Sequence, residues 1–145
     1  MLLEKYKNPQ TFSVNMLKSA TAEAGSNIAF IKYWGKRNEK LNLPMNSSIS
    51  MTLDDGFKTV TSVSFSSECK HDTFVLDGKE EKGDKLKRVS KHLDTIRKLA
   101  KTKLKARVVS ENSFPAGTGI ASSASGFAAL TLAACKALNL ELSKA

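Results

Sequence analysis

Histidine and cysteine are scarce in this chain, with two of each among 145 residues. Cys69 and Cys135 lie far apart and neither belongs to a ligand-spaced pair, which argues against a disulfide framework and a zinc site. His71 and His92 stand alone and are expected at the surface. Long apolar runs are missing as well, and none reaches the roughly 20 residues that a membrane helix needs. Residues 1–15 carry Glu4, Lys5, Lys7, Asn8, Pro9 and Gln10, so they hold no signal-peptide core, and a cytoplasmic location is the expectation. Acidic residues are in deficit: 14 Asp and Glu face 23 Lys and Arg, a net charge of +9. An anionic partner is expected, and nucleic acid, a phosphorylated metabolite and an acidic surface all qualify. What remains is an ordinary globular composition, 41% hydrophobic and 26% charged over 145 residues, enough for one domain with a real core.

Residues 1–15 show little periodicity and read as a leader or extension, with Met16 a candidate start and residues 16–145 the folded unit. Residues 18–24 alternate weakly, as a first strand does. Residues 27–34 are apolar, β-branched and aromatic, a second strand broken by Gly35 and followed by a polar loop. Residues 47–53 alternate strictly and predict a half-buried strand with Ile49, Met51 and Leu53 inward. Asp54-Asp55-Gly56 is a turn. Residues 57–65 alternate again, but Val60 is out of step with Phe57 and the register stays open. Residues 72–76 form a short strand ended by Asp77-Gly78, a hairpin dipeptide. Together these segments predict an antiparallel meander.

A helix is predicted over residues 82–101, where Leu86, Val89, Leu93, Ile96, Leu99 and Ala100 make one apolar stripe. Its other face carries Lys85, Lys87, Arg88, Lys91, Arg97, Lys98 and Lys101. A solvated face is the ordinary reading and a nucleic-acid surface the alternative, although no base-stacking aromatics interleave with the charges. Residues 105–110 read as a strand. Residues 122–138 read as a helix that is apolar almost all round and therefore buried.

Between them lies Phe114-Pro115-Ala116-Gly117-Thr118-Gly119-Ile120-Ala121-Ser122-Ser123-Ala124-Ser125-Gly126. Gly117 and Gly119 permit positive φ and close approach to a ligand. Ser122 and Ser123 fall where the helix begins, and there free backbone N–H groups and the positive end of the dipole favour an anion. Their hydroxyls suit phosphate oxygens or magnesium. The plain alternative is a turn and an N-cap on a core helix. No Gly-Lys-Ser/Thr closes the loop, so it is not a Walker A motif.

Two stretches read together carry a resemblance. Asn27-Ile28-Ala29-Phe30-Ile31-Lys32-Tyr33-Trp34-Gly35-Lys36-Arg37 with Leu43-Pro44-Met45-Asn46-Ser47-Ser48-Ile49-Ser50-Met51-Thr52-Leu53, and Ser110-Glu111-Asn112-Ser113-Phe114-Pro115 running on through Gly126-Phe127-Ala128-Ala129-Leu130, resemble the diphosphomevalonate decarboxylases of the GHMP kinase superfamily. The resemblance runs from about Met16 to the C-terminus. It implies an α+β domain of the GHMP N-terminal type, incomplete, with a mixed, largely antiparallel sheet covered by helices. It implies ATP-dependent decarboxylation of mevalonate 5-diphosphate to isopentenyl diphosphate, with ATP and magnesium. Tyr33 and Lys36 then look like substrate-diphosphate ligands. Asn27 looks like the asparagine near the substrate, or alternatively a strand-end hydrogen-bonding residue. Ser110, Asn112, Gly117, Gly119, Ala121, Ser122 and Ser123 look like the nucleotide site, with Ser122 or Ser123 toward the magnesium. Arg88 sits near a family arginine on the preceding helix. The family's catalytic aspartate falls beyond Ala145, so no catalytic residue is assigned and the chain alone is expected to be inactive. Gly25 stands where the family often has proline, and Ala116-Gly117-Thr118 replaces the commoner Thr-Ala-Ala. A small phosphorylated molecule is the implied partner, with nucleic acid disfavoured, no membrane, and a homodimer left open. A relative acting on mevalonate or its monophosphate is the nearest rival, and a basic nucleic-acid-binding module the rival of another class.

Overall fold

The computed structural model describes residues 18–39, 43–54, 56–114 and 122–141. In chain order the elements are β1 (Lys18–Gly25), β2 (Asn27–Ile31), β3 (Lys36–Asn38), β4 (Leu43–Pro44), β5 (Ile49–Thr52), β6 (Lys58–Ser66), β7 (Thr73–Leu76), β8 (Lys79–Glu81), α1 (Gly83–Leu99), β9 (Lys105–Asn112) and α2 (Ser122–Ala137). Five strands form the main sheet in the order β1-β6-β9-β7-β8, while β2 pairs with β5 and β3 with β4 in two small ribbons. The fold is α+β, with a mixed, mostly antiparallel sheet and, among the described residues, two helices.

The expected meander is corrected. β9 enters between β6 and β7, antiparallel to β6 (Val63↔Val108, Thr61↔Ser110) and parallel to β7 (Phe74↔Val108, Leu76↔Ser110). A parallel pair needs a long crossover, and the hairpin β8 plus the 17 residues of α1 supply it. β7 and β8 form a tight hairpin through Asp77 and Gly78 at φ 49° and 79°. Both angles are left-handed, as a two-residue turn of this hand requires.

The register left open on β6 resolves with Thr59, Thr61, Val63 and Phe65 inward and Val60 outward. With Ala106 and Val108 of β9 they meet Val89, Leu93 and Ile96 of α1 and Leu130, Ala133 and Ala134 of α2. The alanines let α2 lie close against β1 and β6, as an apolar helix with a small-residue face does. The opposite sheet face is polar, with Thr21 and Ser62 sharing a 2.7 Å hydrogen bond across β1 and β6.

Four expectations about burial change. Ile49 and Met51 on β5 are 57% and 51% exposed rather than inward, because the β2–β5 ribbon stands off the main sheet. Leu99 is exposed at the end of α1, where the helix closes at Ala100 and Lys101 turns left-handed. Arg97 does not belong to the solvated face. It is buried, and its guanidinium grips Asp72 in bidentate fashion (Nη1–Oδ1 3.0 Å, Nη2–Oδ2 2.7 Å), while Asp72 Oδ1 also accepts the Ala106 N–H at 2.9 Å. His92 is half-buried rather than superficial, because it faces α2.

Candidate functional site

The inward face of the sheet changes chemistry along its length. One end is apolar, with Val63, Phe65, Ala106 and Val108; the other carries Thr59, Thr61 and Ser110, at most 4% exposed. Thr61 and Ser110 are cross-strand partners and share a hydrogen bond of 2.8 Å. Buried hydroxyls in strand positions that elsewhere hold valine must be paired with each other or serve a ligand. Over this polar end lies a cavity of about 190 Å³. Its sheet wall is Thr59, Thr61, Ser110 and Asn112 with Phe74, Leu76 and Val108; α1 adds Lys85, Arg88 and Val89, and α2 adds Ser123, Gly126, Phe127 and Leu130.

Each element presents these groups for a local reason. Lys85, Arg88 and Val89 share a helix face through their spacing of three and four. Arg88 lies over the Phe127 ring at 5.5 Å, a cation–π contact that joins the two helices at the cavity wall. Lys85 is held by Glu81 of β8 at 2.7 Å. Ser123 is in the first turn of α2, where backbone N–H groups have no helical partner and the dipole is positive. An apolar wall with hydroxyls at one end and two cations beside it suits a ligand with a flat apolar part and an anionic part.

Further along the helix pair, His92 Nε2 meets Thr131 Oγ1 at 2.8 Å. The Thr131 hydroxyl donates to the Phe127 carbonyl at 2.6 Å, so its oxygen accepts and His92 Nε2 carries the proton. The ring also packs edge-on to Phe127 at 5.1 Å. Burial holds the imidazole below its ordinary pKa, and burial raises that of the Cys135 thiol.

Of the nucleotide candidates, Ser110, Asn112 and Ser123 come together on this cavity. Ser122 opens α2. Gly117, Gly119 and Ala121 lie outside the described residues. The substrate candidates do not line the cavity. Asn27 pairs with Thr52 in the β2–β5 ribbon. The Tyr33 N–H donates to Ser48 Oγ at 3.2 Å, and Lys36 lies 3.4 Å from Glu39. Sequence reasoning missed Thr59 and Thr61, gave Phe127 no role within the motif, and put Lys85 on a face read as solvated or, alternatively, as a nucleic-acid surface. The available signal was threonine in the same alternation phase as Val63 and Phe65.

Residues 24–145 match the family described as the diphosphomevalonate decarboxylase-like N-terminal domain. The chain belongs to that family. Diphosphomevalonate decarboxylase of Candida albicans is 44% identical over 143 residues, covering 87% of this chain and 39% of the relative. A solved mevalonate diphosphate decarboxylase from Enterococcus faecalis, described by its mevalonate diphosphate-mediated ATP binding mechanism, superposes with a TM-score of 0.83 at 46% identity, over 88% of this chain and 40% of that one. A structure described as MDDEF in complex with MVAPP, AMPPCP and magnesium has the same TM-score of 0.83, with 46% identity over 88% of this chain and 39% of its own. The chain therefore spans about two fifths of the length of these relatives.

Proposed function

We propose that this chain carries the nucleotide- and diphosphate-binding part of an ATP-dependent decarboxylase acting on mevalonate 5-diphosphate in the mevalonate pathway. The observation that carries the reading is the convergence of Ser110, Asn112 and Ser123 with Lys85 and Arg88 on one cavity at the start of α2. In a family of which one solved structure is described with MVAPP, AMPPCP and magnesium, the apolar wall takes the base. The α2 N-terminus, Ser123 and the two cations take the phosphates. A magnesium ion riding on the nucleotide needs only one or two protein oxygens, which the Ser123 hydroxyl fits.

The chemistry follows from the leaving group. A tertiary hydroxyl leaves poorly, so the terminal phosphoryl of ATP is first transferred to its oxygen, whose proton goes to a base. The C–O bond then breaks with its electron pair on the phosphate. The carboxylate's C–C bond breaks next, and its electrons form the new double bond as carbon dioxide departs. A site that fixes the departing phosphate beside positive charge lowers that barrier. Lys36 and Tyr33 hold the substrate diphosphate in this reading, with Asn27 close by.

The base is not assigned among these residues. Asp72 is taken by Arg97, Asp94 lies 3.1 Å from the same guanidinium, Asp54 accepts the Gly56 N–H and Asp77 accepts from Asn112. We infer that it comes from sequence outside these 145 residues, with residues 16–145 the binding domain and 1–15 an extension, in a cytoplasmic enzyme. Lys36→Met keeps most of the stem and removes the charge. Calorimetric titration is expected to show diphosphate affinity falling while ATP affinity holds. The opposite pattern would move Lys36 to the nucleotide site.

The nucleic-acid reading loses ground on α1 itself. Arg97 is buried, and Lys85 and Arg88, although exposed, border the cavity, leaving Lys87, Lys91, Lys98 and Lys101 as the exposed charges of α1 that do not border it.

A further inference from the structure

A hydrogen-bond relay joins the acidic turn between β7 and β8 to the first turn of α2. The Asp77 carboxylate accepts both N–H groups of Asn112, the backbone one on Oδ1 at 2.8 Å and the side-chain Nδ2 on Oδ2 at 3.1 Å. The Asp77 backbone N–H donates in turn to the Ser110 carbonyl at 2.9 Å, which clamps the turn onto β9. An ionised carboxylate only accepts, so Asn112 must face it with its amide nitrogen and turn its oxygen inward. That oxygen accepts the Thr59 hydroxyl at 2.7 Å. With its proton given to Asn112, Thr59 Oγ1 must accept in its 2.8 Å contact with Ser125 Oγ, which makes Ser125 the donor. The relay therefore runs in one direction, Ser125 to Thr59 to Asn112 to Asp77. Thr59 and Ser125 are each 1% exposed, so water does not compete for these bonds.

We propose that Asp77 is a positioning residue for the nucleotide cavity. By fixing the direction of the relay it holds the first turn of α2, and with it Ser123, in one arrangement over the polar end of the sheet. The proposal rests on the nucleotide reading of that cavity. It separates from the ordinary role of an aspartate in a hairpin turn by one substitution. Asparagine suits a left-handed turn position at least as well as aspartate, so Asp77→Asn keeps the turn. It also keeps an oxygen for the Asn112 backbone N–H. It does replace the second acceptor with a donor, which makes Asn112 flip, Thr59 rotate and Ser125 become an acceptor, and the relay then runs the opposite way.

The experiment compares wild type, Asp77→Asn, Ser125→Ala, the double variant of these two, and the exchanged pair Asp77→Asn with Asn112→Asp. In the exchanged pair the new amide at position 77 donates to the new carboxylate at position 112, whose other oxygen still accepts from Thr59. Three quantities are read: Mg·ATP affinity by calorimetry, amide hydrogen exchange over the first turn of α2, and the thermal midpoint. Asp77→Asn is expected to weaken Mg·ATP binding roughly three- to tenfold and to speed exchange in that turn, with little change in midpoint. The exchanged pair is expected to restore both, and Asp77→Asn is expected to add nothing to Ser125→Ala. Wild-type affinity and exchange in Asp77→Asn, or additive effects in the double variant, would overturn the relay. If the wild-type chain binds no Mg·ATP, the nucleotide reading fails by itself and exchange decides the relay: unchanged exchange in Asp77→Asn rejects it, faster exchange rescued by the exchanged pair upholds it.

Discussion

Ser123 is the hydroxyl on which the nucleotide reading leans most. It follows the loop in sequence, opens a helix and lines the cavity. A hydrogen bond to a charged phosphate contributes more than one between neutral groups. Ser123→Ala is therefore expected to weaken Mg·ATP binding by about 1–3 kcal/mol, read by calorimetric titration, with equal affinities counting against the assignment. Part of this site was legible in the sequence and part was not. Ser110, Asn112 and Ser123 were visible because a glycine-rich loop, two hydroxyls and an apolar helix follow one another in a single stretch. Thr59 and Thr61 were hidden because threonine is an ordinary strand residue on either face. Their phase with Val63 and Phe65 was the one local hint, and the neighbouring strand, which sets Thr61 opposite Ser110, shows that they point into the core. Asp77 read correctly as a turn residue, but its grip on Asn112 spans 35 positions and leaves no local pattern.

At the scale of elements, α1 carries two tests. Its stripe of Val89, Leu93 and Ile96 was legible from periodicity. Its buried arginine was not, since Arg97 falls among lysines and its partner Asp72 lies 25 residues upstream. Arg97→Met would leave the Asp72 carboxylate buried with only the Ala106 N–H of its present strong donors. A loss of about 3–5 kcal/mol is expected on breaking such a pair, measured by denaturant unfolding; a change below about 1 kcal/mol would mean that water reaches Asp72 and solvates it. The second test is the α1–α2 contact at His92. Burial lowers the folded imidazole's pKa, so the unfolded chain takes up the proton first on acidification. Stability from this contact is intact above the ordinary imidazole value of about 6.5 and falls as pH drops through the folded value. His92→Gln keeps an N–H donor without a titrating ring. Its thermal midpoint is expected to fall less steeply than that of wild type as the pH is lowered below about 6.5; parallel profiles would place the acid sensitivity elsewhere.

For the molecule as a whole, the fold class was legible and the strand order was not. Alternation names strands but not neighbours, and the crossover that inserts β9 depends on where α1 packs. The exposed apolar surface also fell elsewhere than expected. Ile49 and Met51 were expected inward, yet the arm of β2 to β5 is open, with Phe30 at 66%, Trp34 at 93%, Met45 at 68% and Ile49 at 57% exposed; α2, expected buried, hides Ala129, Leu130, Ala133 and Ala134 but leaves Leu132 half exposed. An apolar face of this kind marks an interaction surface or an association risk. Sedimentation velocity is expected to show self-association that rises with concentration and is relieved by Phe30→Ser with Ile49→Asn; a monomer at every concentration would contradict it. The central claim, that the polar end of the main sheet is the nucleotide site, is tested most directly by titrating Mg·ATP into the isotopically labelled chain and following its backbone amide resonances. The expected shifts concentrate on Thr59, Thr61, Ser110, Asn112 and the first turn of α2. Shifts confined to the β2–β5 arm, or none at saturating nucleotide, would contradict it.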